Sequence, residues 1–186
     1  ARHHLVTPTA PGLESLAQRA LQDFRQGRFA DAAEGFRIVQ QAHESAQDPG
    51  AAAEAANNRS VALLQAGRPE EARQAVMGTP EVFDLAGDAV RAAQAVGNLA
   101  TAAEACGDLA GAEAGYREAA QRFAELGDAE NQAVILASLS QLQLKRGRPL
   151  EALSTMQAGI ERKPRRGLRD RWLQQLLQLP SRLLGR

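Results

Sequence analysis

Gly107-Asp108-Leu109-Ala110-Gly111-Ala112 is one of four copies of a turn that has glycine first and alanine sixth. The others are Gly27-Arg28-Phe29-Ala30-Asp31-Ala32, Gly67-Arg68-Pro69-Glu70-Glu71-Ala72 and Gly147-Arg148-Pro149-Leu150-Glu151-Ala152. The glycines therefore fall at 27, 67, 107 and 147, a period of 40 residues. A fixed period in this range means stacked supersecondary units, none of which can bury its apolar face alone. Glycine supplies the left-handed backbone that closes a helix, so each copy reads as the turn between two helices.

Outward from these turns the pattern is helical throughout. Leu13, Leu16, Ala17, Ala20, Leu21 and Phe24 recur at three and four residues before Gly27, and Phe29, Ala32, Ala33, Phe36 and Val39 do so after it. Asp48, Asp88 and Asp128 each lie 21 residues beyond a turn glycine, where a carboxylate can accept from the open amides of the next helix. The second unit is interrupted: Gly78-Thr79-Pro80 combines a breaker, a capping hydroxyl and a first-turn proline. Its second helix should split there, leaving a short piece that carries Val82, Phe83 and Leu85. Residues 1–11 hold Pro8 and Pro11 without periodicity and read as a loose leader. The array then occupies 12–164, and Pro164 ends its last helix.

The hydrophobic share of 44% suffices for a core, while aromatics at 4% leave alanine, leucine and glutamine to form it as closely packed helices. No run alternates as a strand does, so the fold class is all-α. Net charge is zero but unevenly placed: residues 162–186 carry eight Arg or Lys against one Asp, and the array before them is acidic. That acidity argues against nucleic acid as the partner of the array. With no apolar stretch of membrane-spanning length and no signal-peptide core, the expected location is cytoplasmic. Cys106, alone and one residue before a turn glycine, reads as a small helix residue.

Over 12–164 the chain resembles the tetratricopeptide-repeat (TPR) proteins. That family pairs two antiparallel helices per unit around a glycine turn, with a small residue five positions later and a large one four beyond it. The matching pairs are Ala32 and Phe36, Ala72 and Val76, Ala112 and Tyr116, and Ala152 and Met156. Leu99-Ala100 and Leu139-Ser140 stand where the family has Leu-Gly, and Val96 and Leu136 replace its tryptophan. The unit of 40 residues exceeds the common 34, nearly one turn more per helix, and is similar to the long-helix subgroup of scaffolds of the Leu-Gly-Asn type. The resemblance implies a right-handed superhelical stack of four helical hairpins, monomeric or weakly dimeric, whose first helices line a concave groove for a peptide or helix of another protein.

On those first helices Asn58, Asn98 and Ser138 each stand 31 residues after a turn glycine, so stacking puts them in one row. Asparagine is a poor helix-interior residue. Bonds to the neighbouring unit or bonds to the backbone of an extended ligand could compensate. Asn57, Gln94, Thr101, Glu104, Gln141 and Lys145 lie near the same face and make the groove polar. The family's chaperone-binding members grip a terminal carboxylate; this chain keeps Asn58 and Asn98 but offers Ala17, Leu21 and Gln94 in the remaining places, which speaks against a carboxylate clamp.

Catalysis needs converging groups, and none converge here. There is no phosphate loop after a strand, no metal-spaced Cys or His pair and no serine nucleophile signature. His43 stands among Gln40, Gln41 and Glu44 as a solvated helix residue, His3 and His4 sit in a polar leader, and Glu70 and Glu71 complement a helix dipole. The expectation is a non-catalytic protein-interaction scaffold with neither cofactor, metal nor small-molecule substrate. The alternatives are a regulatory or accessory domain of a larger enzyme or regulator, and a peripheral assembly factor on a membrane. The last rests on 165–186, where Leu168, Trp172, Leu173, Leu176, Leu177 and Leu179 form an apolar face. Arg165, Arg166, Arg169 and Arg171 crowd its start, so this helix caps the array or anchors it to an anionic surface.

Overall fold

In the computed structural model, which describes residues 10–162, all regular structure is α-helical. The helices are α1 (Ala10–Arg25), α2 (Phe29–Ser45), α3 (Pro49–Gln65), α4 (Pro69–Val76), α5 (Thr79–Leu85), α6 (Ala89–Ala105), α7 (Leu109–Glu125), α8 (Ala129–Lys145) and α9 (Pro149–Arg162). Those following the four repeated turns begin at residues 29, 69, 109 and 149, and those between them at 49, 89 and 129, so the period of the sequence is the period of the backbone. Helix α1 reaches two residues into the stretch read as a leader. The expectations for 163–186, including Arg165, Arg166, Arg169, Trp172 and Leu176, lie outside the described residues.

The turns share one hydrogen-bond scheme. At Gly107 (φ +84°) the amide of Asp108 donates to the carbonyl of Ala103 at 2.9 Å, and that of Gly107 to Glu104 at 3.0 Å, which satisfies carbonyls the helix end leaves open. Between units the same geometry recurs at Gly87 and Gly127, while Gln47 holds it at φ +57° without the freedom of glycine. Asp48, Asp88 and Asp128 cap α3, α6 and α8, each accepting from a backbone amide at 3.0 Å. Asp108 also caps α7, accepting from Gly111 at 2.9 Å, whereas Arg28 and Arg68 at the corresponding places make no side-chain cap.

Packing follows the period as well. Ala32, Ala72, Ala112 and Ala152 are all buried, and Phe36, Val76 and Tyr116 fill the space beside the first three. Burying a side chain of that size is worth roughly 1.5–3 kcal/mol. Consecutive helices pack on one another along the chain except at the break between α4 and α5; α5 packs on α3 and α6, and α3 and α4 also touch α6. Glycines on the second helix of a pair allow close approach to the first: a Cβ added at Gly35 or Gly115 would meet the Cβ of Ala20 or Ala100 at 2.8 Å. The small residue expected at 100 is thus alanine because Gly115 opposite it gives the room.

The split in the second unit is present. Gly78 adopts φ +83°, and Thr79 Oγ1 donates to the carbonyl of Val76 at 2.9 Å. Helix α5 nevertheless returns to register: Phe83, 40 residues before the buried Phe123, is itself buried against Ala53, Ala92 and Ala95. Val82 packs beside it, but Leu85 points to solvent at 91% exposure. Among the described residues no helix is long and apolar enough to cross a membrane.

Candidate functional site

The polar face read from the sequence lies on α3, α6 and α8, whose boundaries repeat and which therefore present equivalent positions side by side. Four of its residues are engaged in pairs across the units. Asn98 Nδ2 on α6 donates to Asn57 Oδ1 on α3 at 3.4 Å, and Thr79 Oγ1 reaches the same oxygen at 3.4 Å. Lys145 Nζ on α8 donates to Glu104 Oε1 on α6 at 2.5 Å. Both links join residues 41 apart, one repeat plus one residue, as expected for helices that cross at a small angle.

Glu104 is further fixed by Tyr116, whose hydroxyl donates to Oε2 at 2.9 Å and lies 3.2 Å from Thr101 Oγ1. Thr101 in turn donates to the carbonyl of Gly97 at 2.9 Å. Burial pushes the Tyr116 phenol up to about 12, so it stays a hydrogen-bond donor at neutral pH and not a proton carrier. This group of four side chains is a seam between the third and fourth units, with its charges already spent.

The predicted row of Asn58, Asn98 and Ser138 is half-buried at all three places, but its members differ. Asn98 is satisfied by the neighbouring unit, one of the two compensations open to it. Ser138 Oγ donates to its own helix at the Val134 carbonyl, at 3.4 Å. Asn58 on α3 has no side-chain partner among the described residues, nor have the exposed amides Gln94 on α6 and Gln141 on α8. An amide both donates and accepts, which is what a peptide backbone requires of its receptor. Chemically the face can hold an extended or helical polypeptide, and it brings together no nucleophile and base. His43 lies 3.7 Å from Asp48 in a surface ion-pair position, and Glu71 accepts from Arg68.

One charged cluster was not singled out from the sequence. Glu113 on α7 is buried at 4% exposure and accepts from Arg146 and Arg148, in the turn between α8 and α9, while Arg117 Nη2 lies 2.5 Å from its other oxygen. The Arg148 hydrogen bond, helped by the charges of Arg117 and Arg146 and opposed by burial, holds this carboxyl below the usual carboxylate range. The available signal was a charge inversion: 40 residues earlier the same two places carry Arg73 and Asp108, 3.8 Å apart. Among the described residues no group of His, Cys, Asp and Glu is arranged to hold a metal ion, and Cys106 is a half-buried free thiol at the end of α6.

No family model matches the chain, and no curated protein matches it. Among solved structures it is similar to the crystal structure of BtubC (BKLC) from P. vanneervenii, with a TM-score of 0.70 over 83% of this chain and 68% of that one. The two sequences are 17% identical, so the likeness speaks for a shared helical fold.

Proposed function

We propose that this chain is a non-catalytic interaction scaffold of the tetratricopeptide type, a right-handed stack of four helical hairpins that binds a peptide or helix of a partner protein across its first-helix face. The observation that carries the reading is the set of unspent amides, Asn58, Gln94 and Gln141, one on each of three successive first helices. Their neighbours Asn57, Asn98, Glu104 and Lys145 are tied into seams between units and serve as the rigid floor of the face. Thr101 and Ser138 line it with their hydroxyls turned to their own helices. Preorganisation of this kind lowers the cost of ordering a receptor on binding.

A peptide library selected on the immobilised wild-type chain tests this directly. Enriched peptides should lose at least about tenfold in affinity, roughly 1.4 kcal/mol, against an Asn58→Ala, Gln94→Ala, Gln141→Ala variant whose circular dichroism is unchanged. Peptides that bind the variant as well as the wild type would remove this face from the function.

A further inference from the structure

The first-helix face changes character along the array. At the place of Glu54 on α3, α6 has Gln94 and α8 has Val134, and all three are exposed, so the gradient belongs to the surface and not to the core. The charges beside the amides are paired across the units. Arg91 Nη2 on α6 lies 3.4 Å from Glu54 Oε2 on α3, as Lys145 on α8 is bonded to Glu104 on α6. A charged group brought onto this face would give up water against charges that are already paired. The face therefore favours a ligand segment without charge.

At the α8 end the face runs into an apolar groove of about 360 Å³, lined by Val134, Ala137, Ser138 and Gln141 from α8 and by Met156 and Ile160 from α9. Ser138 and Gln141 belong to both, so groove and face form one surface. Met156 stands where the preceding unit has Tyr116, yet it is 38% exposed where Tyr116 is 2% exposed. The groove lies at the small end of the range for ligand pockets, about 300–1,000 Å³, and suits one large side chain. We propose, resting on the peptide-binding reading above, that the partner is an uncharged segment with one large aliphatic or aromatic side chain, which sits in the α8–α9 groove while the backbone beside it runs over Gln141 and Gln94 towards Asn58. The groove fixes which end of the segment lies on α8, and the amides hold the backbone that follows.

Peptides enriched from a random library on the full wild-type chain should be uncharged around a leucine, methionine, phenylalanine or tryptophan, and their affinity should change by less than about twofold between low and high salt. Replacing that apolar residue by alanine should cost about tenfold or more on the wild-type chain. The same replacement should cost little on Val134→Glu, and this coupling places the side chain in the groove. Val134 is 59% exposed, so the variant keeps its fold, as circular dichroism would verify. Peptides that lose affinity on the triple amide variant but bind Val134→Glu as well as wild type would overturn the anchor and leave the face standing, which is also the result expected if another part of this chain or a second copy fills the groove. Affinity that falls steeply with salt would overturn the uncharged partner. Peptides indifferent to both variants, or a library that enriches none, would overturn face and anchor together.

Discussion

Two of the seams between successive units use the same two positions with opposite charges and to different depths. Where the second unit meets the third, Arg73 faces Asp108 at 3.8 Å, and both side chains are more than 40% exposed. Where the third meets the fourth, Glu113 faces Arg148 from a site in which its side chain is 5% exposed, with Arg146 and Arg117 added. Backbone and apolar packing repeat across the array, whereas the polar content of each seam is its own. The consequence is specificity of stacking. The second unit set on the fourth would bring Arg73 to Arg148, and the third set on another copy of itself would bring Glu113 to Asp108, like charges in both cases.

If the two seams differ as their burial indicates, Glu113→Ala should be the most damaging single change at a charged position. It takes a partner from three guanidinium groups that are still partly open to water, for a loss of about 1–3 kcal/mol in urea unfolding. The loss should depend on pH. Because the folded carboxyl lies below its ordinary value, its contribution is complete above that value, about 4.3, and disappears as pH falls through the lower folded one. Wild type and Glu113→Ala should therefore converge in stability only once pH has fallen below that lowered value, and a gap that persisted in acid would show that the residue acts by packing and not by charge.

Close to that in size is Gly115→Ala, which would force a Cβ to 2.8 Å from that of Ala100. Overpacking between helices costs about 1–3 kcal/mol, and thermal melts that show no loss would mean the helices separate freely. The second unit carries Ala75 and Ser60 at the corresponding places, so the approach is not uniform along the array. A smaller effect, in the stabilising direction, is expected for Gln47→Gly. Gln47 holds φ +57° where the next two units have glycine, and relief of that strain should raise stability by up to about 1 kcal/mol.

The contrast also explains what the sequence could tell. Helix starts, the three aspartate caps and the break at Gly78 depend on residues within a turn of one another, and they stand in the structure at the positions read from the chain. Glu113 was missed because its partners arrive from a turn 33 and 35 residues later, and an acidic residue near a helix start is by itself commonplace. Leu85 is apolar yet exposed, since α5 returns to the register of the array and Leu85 falls at the place of the exposed Glu125 one unit later. At the polar face the positions were legible but the pairing was not. The link from Asn98 runs to Asn57, the neighbour of the row member Asn58, because crossing helices shift the register by one residue.

Two double-mutant cycles measured side by side, Glu113 with Arg148 and Arg73 with Asp108, test most directly whether equal positions in this array carry unequal interactions. Asp108 is replaced by Asn in its cycle so that the cap to Gly111 is kept. The coupling at Glu113–Arg148 should be several-fold that at Arg73–Asp108 and should fade in acid, whereas the exposed pair should fade with salt. Equal couplings at the two seams would contradict the account.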